Sequence, residues 1–192
     1  AAKERGPLDI NPLGLQAPVA PAPVSVPMAT APENACAAVG FVIGRAAERE
    51  RVVAADILMD AIMGANESPL KRVLLDAGIA DDAIGYVADS VAQPFAVVSL
   101  RGARPGAADA LRAIVEAEAR RLAEGGLDRE LVRAALSHAE FVMRERNFGY
   151  PDGVVLAMSA MAGWLYADDD PAAYLRFEDV FASLREKVEE GY

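Results

Sequence analysis

Histidine and cysteine are nearly absent: His138 and Cys36 stand alone among 192 residues. With one histidine, neither HExxH nor the inverted HxxEH can be written anywhere in the chain. A tetrahedral zinc site draws on several histidine and cysteine ligands, and two scattered ones close none. One cysteine permits no internal disulfide and leaves the redox compartment open, and the localisation with it. Cationic residues are also scarce, 19 Lys and Arg against 29 Asp and Glu, for a formal net charge of −10. That balance argues against a nucleic-acid partner, which a basic face normally serves. It is compatible with a long-range field that attracts cationic peptides. No apolar run reaches the roughly 18 residues of a membrane span, so no membrane partner is expected. Residues 1–30 show no charged start followed by a continuous apolar core, so no signal peptide is read there. Ala1 in place of an initiator Met fits processing or excision from a longer chain.

What is present falls into two parts. Residues 1–34 hold seven of the twelve prolines. Proline removes a backbone donor and fixes φ, so this stretch is expected to be an extended arm or interdomain linker. Residues 35–192 carry the elements of one domain. Ala35 to Gly44 reads ACAAVGFVIG, an apolar run whose length and Gly44 stop suggest a strand buried on both faces. Buried there, Val39, Phe41, Val42 and Ile43 would contribute roughly 1.5–3 kcal/mol each before entropy is subtracted. Val52, Ala55, Asp56, Met59 and Met63 fall near helical spacing, with Val53, Ile57 and Ile62 widening the stripe, which predicts a helix over 47–63. Ser68-Pro69 is an N-cap followed by proline at the first helical position. Leu70, Val73 and Leu74 would turn inward from that short helix, which Gly78 ends.

Strand-like segments at 84–92 and 95–101, separated only by Gln93-Pro94, favour an antiparallel hairpin in which Phe95, Val97 and Ser99 alternate with Ala96, Val98 and Leu100. A helix over 108–124 sets Leu111, Ile114, Val115 and Leu122 on one face and pairs Glu116 with Arg120 outside. Asp128 caps the next helix, to about Arg146. Helices over 154–166 and from Asp170-Pro171 to about Glu190 complete the chain. The order strand, helix, two strands, several helices implies an α+β, two-layer domain with helices on a largely antiparallel sheet.

Candidate chemistry is thin. Cys36 sits inside the apolar strand, where a thiol serves as a small buried hydrophobe. His138 borders the stripe Leu131, Ala135, Val142 and reads as a boundary histidine with a local hydrogen bond. Glu140, with no second histidine nearby, reads as an exposed helix carboxylate and no general base. Asp168-Asp169-Asp170 lacks the alternating ligands and central glycine of an EF-hand loop, leaving a solvated turn that ends in an N-cap. Gly102, Gly106, Gly125 and Gly126 fit turns and helix ends, with no phosphate-binding fingerprint. No serine lies in a GxSxG elbow. No catalytic and no metal-ligating residue is therefore assigned. Two features exceed a bland domain. VVLAMSAMAGWLYA (154–167) is apolar on every side, so something must cover more than one face. The loop before it, Asn147 to Gly153, is rich in aromatic and turn residues. Phe148, Tyr150, Trp164 and Tyr166 are the candidate interdomain residues.

Several stretches together resemble one family. LMDAIMGANESPLKRVLLDAG (58–78), QPFAVVSLRG (93–102), EFVMRERNFGYPDG (140–153), AMAGWLYADDDP (160–171) and LREKVEEGY (184–192) resemble the associated, non-zinc domain of the pitrilysin/insulinase-type zinc metallopeptidases, in the presequence-protease branch. The resemblance runs from about residue 35 to the end. It implies the same strand-helix-hairpin-helices fold, and a parent of four such domains that close as a chamber on unfolded peptides. It places the inverted zinc motif in a domain outside this chain. No zinc or catalytic residue therefore carries over, and zinc is implied only for the parent. The partners implied are the remaining domains of the same polypeptide and the parent's peptide substrate. Since LREKVEEGY stops where the family continues towards its second half, the resemblance implies an excised domain. An assembly or subunit-packing protein that retains the fold without the chemistry is the alternative, because fold alone does not settle activity.

Overall fold

The computed structural model describes residues 15–17, 22–145, 149–166, 170 and 172–191. The elements run β1 (Cys36–Val42), α1 (Arg49–Met63), α2 (Pro69–Asp76), β2 (Asp82–Ala88), β3 (Phe95–Arg101), α3 (Ala107–Gly125), α4 (Arg129–Glu145), α5 (Asp152–Tyr166) and α6 (Glu178–Glu190), after a single 3-10 turn at Pro32–Asn34. The expected α+β class holds: one three-stranded antiparallel sheet, order β1-β3-β2, and helices against it. The register follows the alternation in β3. Ala96, Val98 and Leu100 face the helices, each flanked by a β1 residue (Phe41, Val39, Ala37) and a β2 residue (Val87, Gly85, Ala83). Phe95, Val97 and Ser99 point the other way.

The helices fill two layers. Against the sheet, Met59 and Met63 of α1, Leu70 and Leu74 of α2, and Leu111 and Val115 of α3 pack with Ala83, Val98 and Leu100. On the far side of α1, Ile57 and Ala61 meet Ala135 and Leu136 of α4 and Phe181 and Leu184 of α6. Helix α1 thus buries residues towards both layers, which is why its apolar stripe is too broad for a helix covering one face. The approach of α1 to the sheet is set at Gly85. A Cβ added there would lie 2.5 Å from Met59 Sδ and 2.8 Å from Met63 Cγ.

Several expectations are corrected. Strand β1 is an edge strand, half-buried at most: Val42 is 67% exposed, and Phe41 and Cys36 are exposed too. A three-stranded sheet with helices on one side leaves the second face of an apolar strand uncovered, so the burial expected of Val42 is not gained, and Phe41, on the helix side, is exposed at the end of an edge strand. Strand β2 ends at Ala88, and the hairpin connection is the longer segment 89–94. Ser68 stands at the N-cap of α2, but its Oγ accepts the Ala65 N–H at 3.1 Å and makes no capping bond. Glu116 pairs with Arg112 at 2.8 Å, one turn earlier than Arg120. Asp170 caps only a turn, accepting the Ala172 N–H at 3.1 Å, and α6 begins at Glu178 after Phe177. Asp128 does cap α4, accepting the Glu130 N–H at 2.9 Å.

The close approach at Gly85 gives a direct test. Gly85→Ala should lower unfolding stability by about 1–3 kcal/mol, because Met63 is anchored in α1 and cannot simply swing away. Gly40→Ala, whose added methyl would meet only Ala96 O at 3.6 Å and Val97 Cγ2 at 4.0 Å, should stay within about 0.5 kcal/mol. Urea unfolding of the two variants side by side checks both values.

Candidate functional site

The apolar helix α5 stands apart from both helical layers. Among the described residues it makes no extended contact with the sheet or with another helix. Its buried residues are Ala162 and Gly163. Ala162 packs with Ala46, from the loop before α1, and with Tyr174, from the turn before α6; Tyr166 and Ala173 border this small cluster. The Tyr174 hydroxyl donates to the Ala46 carbonyl at 3.1 Å, and the Arg49 guanidinium lies 3.8 Å over the Tyr174 ring. Burial raises the Tyr174 pKa above its ordinary value, so the phenol keeps its proton and donates.

The remaining surface of α5 is open. Trp164 is 74% exposed, and Val154, Leu156, Met158, Met161 and Leu165 are exposed with it. Exposed contiguous apolar surface on this scale marks an interaction site in folded proteins. The cover expected over more than one face of this helix is not supplied within the described residues; on the covered side Tyr166 borders the cluster of Ala46 and Tyr174. The cover comes from two loops, and α6 supplies none. Trp164 is not part of that contact. Tyr150, before α5, is 72% exposed. Phe148 lies outside the described residues.

A second apolar surface was missed from sequence: the outward face of the sheet. Val42 of β1 and Ile84 and Tyr86 of β2 are exposed there, around the half-buried Phe95 and Val97 of β3. The signal was present as the alternation of Ile84 and Tyr86 with Ala83, Gly85 and Val87, which places large apolar side chains on the face opposite the helices.

The titratable groups form structural pairs. His138 Nδ1 lies 3.4 Å from Asp60 Oδ2, an exposed contact between α4 and α1. The Cys36 thiol donates to the Asn34 carbonyl at 3.3 Å. Among the described residues no cluster of three or more His, Cys, Asp or Glu could hold a metal ion. Nor is any described helix long and apolar enough to cross a membrane. Glu140 corrects its sequence reading: it is buried, 8% exposed, and joins Arg144 of its own helix at 2.7 Å and Arg185 of α6. The hydrogen bond from Arg144, opposed by desolvation and helped by the Arg185 charge, holds its carboxyl below the ordinary 4.5. Glu140 is a clamp between α4 and α6.

No protein-family model matches the sequence. Protein HypA of Clostridium perfringens is 31% identical over 153 residues, 79% of this chain. Presequence protease 1, chloroplastic/mitochondrial, of Arabidopsis thaliana is 29% identical over 133 residues, 68% of this chain. The matched stretch spans only 16% and 12% of those relatives' own lengths. Among solved structures, the inactive peptidase domain of a candidate zinc protease from Bordetella parapertussis superposes with a TM-score of 0.60 at 16% identity, over 82% of this chain and 79% of that one. The fold is that of a peptidase domain. At that identity the likeness establishes the architecture and leaves the chemistry to be argued from residues.

The Glu140 clamp carries a pH signature. A carboxyl whose folded pKa is depressed adds stability above its unfolded pKa and loses it as pH falls through the folded value. Glu140→Gln should therefore cost about 1 kcal/mol at pH 7, the arginines being half-exposed and screened. The gap to wild type should close below pH 4.5, the ordinary value from which Glu140 is lowered. Denaturant titrations from pH 7 to 3 measure that gap.

Proposed function

We propose that this chain is a catalytically silent domain of a larger zinc-dependent endopeptidase of the pitrilysin/insulinase type, in the presequence-protease branch. One observation carries the reading: a peptidase-domain fold is built from a sequence holding a single histidine. The likeness to a presequence protease and to an inactive peptidase domain supports the same reading. In the parent, zinc would activate water with a glutamate as base, and both would come from another domain. Residues 35–192 form the silent domain, and residues 1–34 the arm that links it to its neighbour. The open surface of α5, with Trp164, Tyr150 and the adjoining Tyr166, lies against the remaining domains or faces the chamber that receives the peptide substrate.

Metal content, activity and the upstream coding sequence test this. The purified chain should retain no stoichiometric zinc after dialysis and should show no chelator-sensitive cleavage of an unstructured peptide, while the coding sequence upstream should contain HxxEH. One tightly held zinc per chain, or cleavage that survives rigorous purification, would overturn the proposal. An upstream sequence without HxxEH would favour the assembly role instead. Trp164→Ala addresses the surface: stability of the isolated chain should change by no more than about 0.5 kcal/mol, while association with the remaining domains weakens. A loss of several kcal/mol in the isolated chain would place Trp164 in a core and sink the interface assignment.

A further inference from the structure

A cleft of about 720 Å³ opens between α1, α4, α6 and the C-terminal turn of α3. That volume falls within the roughly 300–1,000 Å³ of small-molecule pockets. Its wall is sorted by polarity along the helix axes. Arg51 in the first turn of α1, Arg129 at the start of α4 and Lys187 in the last turn of α6 line it, as do the apolar Ile57, Leu136 and Leu184. From Arg51 to Leu58, and from Arg129 to Leu136, the wall passes from charge to hydrocarbon along about 10 Å of helix at 1.5 Å per residue.

The cations at the polar end are not equally paired. Lys187 is engaged with Glu50, which also accepts the Ser183 hydroxyl. Arg51 faces Glu48 at 3.5 Å. Arg129 closes no ion pair among the described residues. Its acidic neighbour Glu189 is bonded along one guanidinium edge of Arg133, at 3.0 and 2.6 Å, and feels the Arg129 charge as well. Gly191, left-handed at φ 83 after α6, leaves the space that the Arg129 guanidinium occupies, and a Cβ there would collide with it. The N-terminal end of α4 adds its positive dipole beside that cation.

The geometry points to a binding site for an amphipathic monocarboxylate, with a linear acyl chain along Leu58, Val132 and Val188 above the buried Ile57, Leu136 and Leu184, and its carboxylate on Arg129. A peptide fits the wall less well. The helices bond their own backbone internally, so a peptide's N–H and C=O groups would go unpaired, whereas an acyl chain needs no hydrogen bond. This site is independent of the peptidase reading, because it uses neither the α5 surface nor the open sheet face.

Calorimetric titration of the full chain with decanoate and with decanol provides the test. Decanoate should bind at one saturable site, and decanol about tenfold more weakly, as the loss of one charge-assisted contact implies. Arg129→Ala should reduce decanoate to the level of decanol. Ala54→Trp, which fills the cleft from its α1 wall, should remove both while circular dichroism and the melting temperature show an intact fold; Ala54→Phe serves if the larger ring unfolds the chain. Absence of saturable decanoate binding overturns the proposal, as does binding indifferent to both substitutions. So would tighter binding of a short peptide ending in leucine, or self-association of the chain that Ala54→Trp abolishes.

Discussion

Helix α1 is the constraint on which the rest of the domain depends, because it is buried from two sides. Met59 and Met63 press on the sheet at Gly85, while Ile57 and Ala61 form the floor under α4 and α6. The two cores therefore share one backbone. Moving α1 outward by the width of a methyl group would open the sheet layer, and tilting it to compensate would disturb the contacts of Ala135, Leu136 and Phe181. Close-packed interiors transmit such shifts instead of absorbing them. The polar contacts between the outer helices and α1 follow the same geometry: Glu50 meets Lys187 and Ser183, and Asp60 meets His138.

The same arrangement explains why apolar surface is left over. Helices α1, α2 and α3 cover one side of the sheet, and α4 and α6 are spent covering the back of α1. Nothing then remains among the described elements for the other side of the sheet, where Val42, Ile84 and Tyr86 stand exposed. Helix α5 cannot take that place, since two small residues, Ala162 and Gly163, hold it to a pair of loops near Ala46 and Tyr174. A helix whose other sides carry Trp164, Met158, Met161 and Leu165 is poorly suited to water. Its sequence makes sense in an environment that supplies more neighbours than this chain does, which is why the interface reading rests on α5 more firmly than on the loop before it.

Much of the architecture was legible because local signals and tertiary contacts agreed. The alternation in β3 fixed its inward face, Asp128 capped α4 as its position indicated, and Gly78, at φ 63, ended α2 in the left-handed turn that glycine allows. The misreadings arose where one local pattern serves two environments. An apolar run such as ACAAVGFVIG suits a doubly buried strand and equally an edge strand whose outer face awaits a partner. Asp170-Pro171 carries a helix-start signal, yet Phe177 packs edge-to-face on Phe181 with ring centroids 6.0 Å apart, in the cluster where α6 meets α1 and α4. Tertiary packing chose the later start. Glu140 looked exposed because its arginine partner on α6 lies 45 residues away in sequence, and helical periodicity carries no information about a separate helix.

Besides the open sheet face, two kinds of apolar surface coexist on this domain, and their physical differences bear on what each is for. The α5 surface is convex and presents aromatic and methionine side chains on a single helix. Such a surface gains by meeting another extended apolar surface, since flexible methionine and broad tryptophan adapt to many shapes. The cleft behind α1 is concave, walled by leucine, valine and isoleucine, and ends in Arg129, which shares its acidic neighbour Glu189 with Arg133. A flat partner could not reach its floor, while a slender molecule with one anionic end satisfies both the hydrocarbon and Arg129. The first surface thus calls for a broad apolar neighbour, and the second for a slender one with a charged end.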